Sequence, residues 1–143
     1  MDRDTKRAWD VYFKNASVGA YAVRCILKKA KKPELCAVLA AQYRAYSTQE
    51  RQARAYYRKT GQRPPADAAI AKHWTGMGIR LRTLHDRSAS NLAKLTVEGV
   101  NMGVITLLQT LHDIGNVPAS VIRCGNAILR RENLFLERLK EHL

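Results

Sequence analysis

Apolar residues recur at helical spacing along almost the whole chain, and no stretch sustains the period-two alternation of a strand. The pattern predicts an all-α protein. A first helix is expected from about Lys6 to Ala30, with Trp9, Tyr12, Phe13, Ala16, Ala20, Val23, Ile26 and Leu27 on its inner stripe. It ends in a lysine-rich run whose charges suit the negative end of a helix, and Pro33 can open the next one. The second helix, from about Glu34 to Lys59, carries Leu35, Leu39, Tyr43, Tyr46, Ala53 and Tyr57 inward and stops at Thr60-Gly61, ahead of Pro64-Pro65.

A short helical piece is expected from Asp67 to Trp74, interrupted by Gly76-Met77-Gly78. A third long helix should run from about Ile79 to Asp113, with Leu81, Leu84, Leu92, Leu95, Met102, Ile105 and Leu108 as its apolar face. After Gly115-Asn116, Pro118 opens a fourth, to about Glu141, through Ile122, Ile128, Leu129, Phe135, Leu136 and Leu139. Four long amphipathic helices bury their stripes most economically as a four-helix bundle. The linker between the second and third, roughly 18 residues, exceeds what an antiparallel hairpin needs. It fits a crossover lying along the bundle, the connection of ferritin-like folds.

With 143 residues the chain makes one domain, 1–143. Hydrophobic residues at 46% and charged residues at 26% are a globular balance, which excludes a disordered tail. The most apolar stretch, Val97 to Leu111, is interrupted by Glu98, Asn101 and Gln109 and is too short to span a membrane. The charged opening residues are followed by no apolar segment, so a cytoplasmic address is expected. Cys25, Cys36 and Cys124 are odd in number and lack Cys-x-x-Cys spacing, so they read as small buried hydrophobes.

Charge is where the composition departs from average. Lys and Arg total 25 against 12 Asp and Glu, a net charge of +13, which suits an acidic protein or a nucleic acid as partner. Residues 1–66 hold fifteen of the bases and five of the acids, so the excess belongs to the first two helices. Arg44, Arg51, Arg54 and Arg58 fall within about 80° of one another around the second helix, a stripe able to follow a phosphate backbone. Arginines beside a core also lie along it with their heads in water, and no nucleic-acid module accompanies these.

Three glutamates fall on the expected apolar seams: Glu50 in the second helix, Glu98 in the third and Glu132 in the fourth. A buried carboxylate is costly unless paired, hydrogen-bonded or bound to metal. Carboxylates from facing helices are how ferritin-like bundles hold two metal ions, so iron, manganese or zinc is a conceivable cofactor. The Glu-x-x-His that such a site needs is missing, because Ala53 follows Glu50 at that offset, Phe135 follows Glu132 and Asn101 follows Glu98. The competing account pairs these glutamates with arginines such as Arg54 or Arg131, or with a tyrosine hydroxyl. No catalytic residue emerges: His73, His85, His112 and His142 read as surface or helix-end histidines, and no nucleophile motif or phosphate loop can be written. Gly99 and Gly103 recur at helical spacing despite costing up to about 1 kcal/mol each, which points to close helix packing, within the bundle or across a homo-oligomer seam.

The run MGIRLRTLHDRSASNLAKLTVEGVNMG, Met77 to Gly103, and the tail ENLFLERLKEHL, Glu132 to Leu143, resemble uncharacterised ferritin-like helical-bundle proteins of anaerobic gut Firmicutes. The resemblance is good over residues 64–143 and looser before. It implies a cytoplasmic ferritin-like bundle with no assigned activity. Glu98 and Glu132 match the family pattern, whereas Asn91 and Lys94 stand where the family block has a His and a Glu. The expectation is therefore a non-catalytic, self-associating or partner-binding bundle, a homodimer among the forms expected. A residual metal-binding or oxidoreductase bundle and a nucleic-acid-binding basic bundle are the alternatives.

Overall fold

Local capping chemistry sets where the helices begin and end in the computed structural model, which describes residues 2–143. The described residues form five helices and no strand: α1 (Arg3–Leu27), α2 (Pro33–Thr60), α3 (Asp67–Arg82), α4 (Ala89–Asp113) and α5 (Ala119–Lys140). Asp2 caps α1 by accepting from the Thr5 amide and hydroxyl, both at 2.8 Å, so the helix starts about three residues earlier than expected, and it ends at Leu27, the last residue of its apolar stripe. Pro33 opens α2, and Gly61 closes it in the left-handed conformation, φ 69°, with its amide on the Tyr57 carbonyl. Among the described residues no helix is long and apolar enough to cross a membrane.

One expected boundary is displaced, and the short piece expected between the second and third long helices becomes a helix of 16 residues. Gly76 and Gly78 do not break the chain; α3 runs straight through them to Arg82, and the break lies at residues 83–88. Two glycines cost a helix about 1 kcal/mol each, which packing on α1 can offset. Gly76 is buried where a Cβ would lie 2.7 Å from the Tyr21 hydroxyl, so the absent side chain is what lets α3 close on α1. The true break carries its own polar network. Asp86 accepts from the Ser88 amide, Ser88 accepts from the Asn91 amide as the cap of α4, and the Asn91 side chain donates to the Arg82 and Asp86 carbonyls.

Helices α1 and α2 pack as an antiparallel pair, α4 and α5 as another, and α1 lies against α4 while α2 lies against α5. Helix α3 runs up the outside of α1, from the Lys14–Asp67 ion pair (2.8 Å) to Ile79, which joins the cluster of Val23, Ile26, Leu35 and Leu139. A second cluster, with Ala8, Tyr12, Leu107, Val121 and Ile128, fills the opposite end of the bundle. There the buried Tyr12 hydroxyl donates to the Val121 carbonyl at 2.7 Å, joining the start of α1 to the start of α5.

The inner face of α4 also differs from expectation. Leu81, Leu84, Met102, Ile105 and Leu108 are exposed, while Leu92, Ala93, Thr96, Val100, Leu107 and Thr110 are buried. The threonines can be inside because their hydroxyls return to the chain one turn back, Thr96 to the Leu92 carbonyl and Thr110 to that of Thr106, both at 2.8 Å.

Gly125 tests this packing. A Cβ there would lie 2.5 Å from the Tyr12 hydroxyl and 2.8 Å from Leu111 Cδ2, so Gly125→Ala should destabilise the protein by about 1–3 kcal/mol in urea unfolding. Undiminished stability would show that the end cluster has slack.

Candidate functional site

Each glutamate singled out by the sequence has its own partner, and the three do not come together. Glu50 lies beside the α2 seam, not on it, accepting from Arg54 one turn on at 3.1 Å; Gln42 and Gln49 hold the buried positions instead. Glu98 bonds Arg82 across the gap between α3 and α4, at 2.6 Å. Among the described residues no group of three or more His, Cys, Asp or Glu side chains gathers where it could hold a metal ion. Of the histidines, His73, His85 and His112 are exposed, while His142 is buried beyond the end of α5.

Glu132 is different. It is 1% exposed, and its carboxylate accepts from the Tyr46 hydroxyl at 2.9 Å, a bond that ties α5 to α2 in the middle of the apolar core. Burial pushes its carboxyl up from an ordinary 4.5 to about 7, against the smaller opposing effects of the Tyr46 bond and the nearby Arg131 charge. Burial likewise holds the Tyr46 phenol well above its usual range, with Glu132 adding to the rise. Tyr46 therefore stays a donor and Glu132 an acceptor that keeps its own proton close to neutrality.

The Tyr46 ring also reaches the floor of a long groove, because Gly19 of α1 lacks a side chain: a Cβ there would sit 2.8 Å from the ring. Helices α3 and α4 both lie on α1 but hardly touch each other, and the groove between them has a volume of about 820 Å³. Val18, Ala22 and Ile26 of α1 form its floor, Trp74 and Ile79 stand in the α3 wall, and Leu95 and Met102 stand in the α4 wall. Its lips are apolar and open: Trp74 is 65% exposed and Met102 71%.

The two glycines expected to mark close packing separate here. A Cβ on Gly103 would lie 2.9 Å from the Asn15 side-chain nitrogen, as tight packing requires, whereas a Cβ on Gly99 would meet nothing within 4 Å. Gly99, with Gly78 opposite it in α3, widens the groove. Sequence reasoning missed this site because the Gly76-Met77-Gly78 segment looks like a break. The available signal was α4 itself, which has more apolar residues than one buried stripe can use.

The arginine stripe is exposed throughout. Arg54 holds Glu50 and lies 5.0 Å from the Phe13 ring centre, and Arg51 donates to Thr48, so both are drawn onto their own surface. Arg44, Arg51 and Arg58 recur every seven residues, a row with a step of about 10.5 Å. The cysteines are half-buried, and burial pushes the Cys124 thiol up, so it is a poor nucleophile.

The Glu132 carboxyl gives a pH-dependent stability of known sign. Folded chains keep its proton up to about pH 7 and unfolded chains lose it near 4.5. Between these values the folded state binds the extra proton, so the contribution is present below pH 4.5 and is lost as pH rises to about 7, a change of about 3 kcal/mol. Glu132→Gln should remove this decline, raising stability relative to the parent at pH 8 but not at pH 5. Parallel pH profiles in urea unfolding would contradict the assignment.

No family model, curated protein or solved structure matches the chain, so its function is argued from the shape and chemistry of these residues alone.

Proposed function

We propose that the protein is a non-catalytic, partner-binding bundle of the cytoplasm, ferritin-like in its connections, whose working surface is the α1/α3/α4 groove. The carrying observation is an apolar trough between two helices over a third, left open where the charged side chains of its lining, Lys14, Arg82 and Glu98, are each ion-paired. Such a trough accepts an amphipathic helix laid lengthwise, its apolar residues entering at every third or fourth position. The ferritin-like reading is supported by α2 and α4 running in the same direction on opposite corners, with α3 as the crossover that relates them.

The alternatives make heavier demands. A metal site built from Glu50, Glu98 and Glu132 would require each to leave Arg54, Arg82 or Tyr46 and converge from separate places. Nucleic-acid binding along Arg44, Arg51 and Arg58 needs no groove, and salt-sensitive retention on heparin, lost in the triple Arg→Ala variant, is the result that would favour it.

Trp74 reports on the groove directly. In a Trp9→Phe background it is the remaining tryptophan, and a synthetic amphipathic helical peptide with leucines on one face should shift its emission to the blue and saturate. Gly78→Leu, which fills the trough from α3, should abolish the shift. A linear, non-saturating response, or one indifferent to Gly78→Leu, would refute the groove as the binding surface.

A further inference from the structure

We infer that the end of the bundle bearing the α1–α2 turn and the α3–α4 break docks on an anionic lipid bilayer, lying on its surface without crossing it. This surface is separate from the groove and does not depend on it. Ile26, Leu35, Ile79, Ala89, Leu92 and Leu139 share one apolar cluster, which brings the ends of α1, α3 and α5 and the starts of α2 and α4 to the same end of the bundle. There residues 28–34, 80–88 and 137–141 hold nine bases and four acids. At the opposite end residues 2–7, 58–67 and 113–118 hold six and four, and Lys6 and Arg7 are taken up in ion pairs. The surplus charge is therefore polar along the bundle.

The bases of the charged end are free to meet an outside anion. Lys28, Lys29, Lys31 and Lys32 of the turn, with Arg80 and Arg87, form no ion pair with any described residue. Lys28 and Lys29 suit the negative end of α1, but Lys31 and Lys32 stand before α2, at the positive end of its dipole, where bases are unfavourable. Lys32 even takes the cap position of α2 without a capping side-chain bond. Helix stability therefore does not account for this pair, whereas four lysines within five residues suit anionic headgroups. Leu81 and Leu84, 66% and 64% exposed, lie in the last turn of α3 and in the break, next to Arg80 and Arg82 in the chain. A nucleic-acid backbone rewards the bases and leaves these leucines in water. A bilayer surface rewards both, its charge drawing the lysines and its acyl boundary taking the leucines.

Co-sedimentation with vesicles tests this. The parent should bind vesicles of phosphatidylserine and phosphatidylcholine in equal parts at low salt, leave them as salt is raised, and ignore phosphatidylcholine alone. Lys31→Ser with Lys32→Ser should weaken binding about 20-fold, at about fivefold for each base. Serine at position 32 supplies the missing cap, so this variant should unfold at a higher urea concentration than the parent, and its weaker binding cannot come from a weaker fold. Leu81→Ser with Leu84→Ser, both at exposed sites, should weaken vesicle binding about 10-fold with helical content unchanged by circular dichroism.

A parent that ignores the anionic vesicles at low salt overturns the assignment and leaves the groove reading standing. Vesicle binding indifferent to the lysine pair overturns it by placing the contact elsewhere. Lysine-dependent binding of duplex DNA, together with vesicle binding that is indifferent to the leucine pair, overturns it in favour of a nucleic acid.

Discussion

All four other helices pack against α1, so a single helix must offer a low profile in several directions at once. Helix axes come within about 8–10 Å only where the side chains between them are small. Ala8, Ala16 and Ala20 are almost fully buried on α1, and Gly19 admits the Tyr46 ring. Between them Tyr12 and Phe13 fill the wider gaps, each with a defined neighbour, the Val121 carbonyl for one and the Tyr57 ring for the other. Gln49 adds the polar restraint from α2, donating to the Tyr12 carbonyl and to Asn15 at 3.0 and 2.9 Å. With both sides of α1 taken by neighbouring helices, α3 and α4 are held too far apart to close over it. The groove is thus a consequence of how α1 is packed elsewhere.

The readable part of the fold was the part with one apolar stripe per helix. On α1, α2 and α5 the residues expected inside are largely inside, from Tyr12 and Val23 to Leu39, Tyr46, Ile128 and Phe135. Glu132 also fell where the stripe of α5 places it. Helix α4 resisted because it offers two apolar faces, and the buried one is chosen through Thr96 and Thr110, whose hydroxyls are satisfied within the helix. A hydrophobicity pattern ranks threonine below leucine and so selects the wrong face. The α3–α4 break was hidden for a related reason: glycine is a strong signal and a capping serine a weak one, yet Gly76 serves a close approach and Ser88 begins the helix. Glu50 misled by one position in the register, with Gln49 holding the site assigned to it.

The surplus charge is distributed to match. Basic side chains cluster on α1, α2, α5 and the turn at residues 28–32, whereas α4 is almost bare of them. Repulsion among like charges thereby guards most of the surface against unselective contact and leaves one face permissive. The ion pairs that border this face, Lys14–Asp67 and Arg82–Glu98, are exposed and contribute little to stability. Their effect is to cancel charge locally where an apolar surface is open.

Tyr46 and Glu132 stand 86 residues apart in sequence and share one buried hydrogen bond. Losing either alone strands a polar atom in the core, while replacing both by apolar groups of similar shape can be nearly neutral. Their fates are therefore joined in descent. Replacing the pair by apolar residues one at a time crosses a valley of reduced stability, whereas a change that keeps an acceptor at position 132, as Glu132→Gln does, is open as a single step.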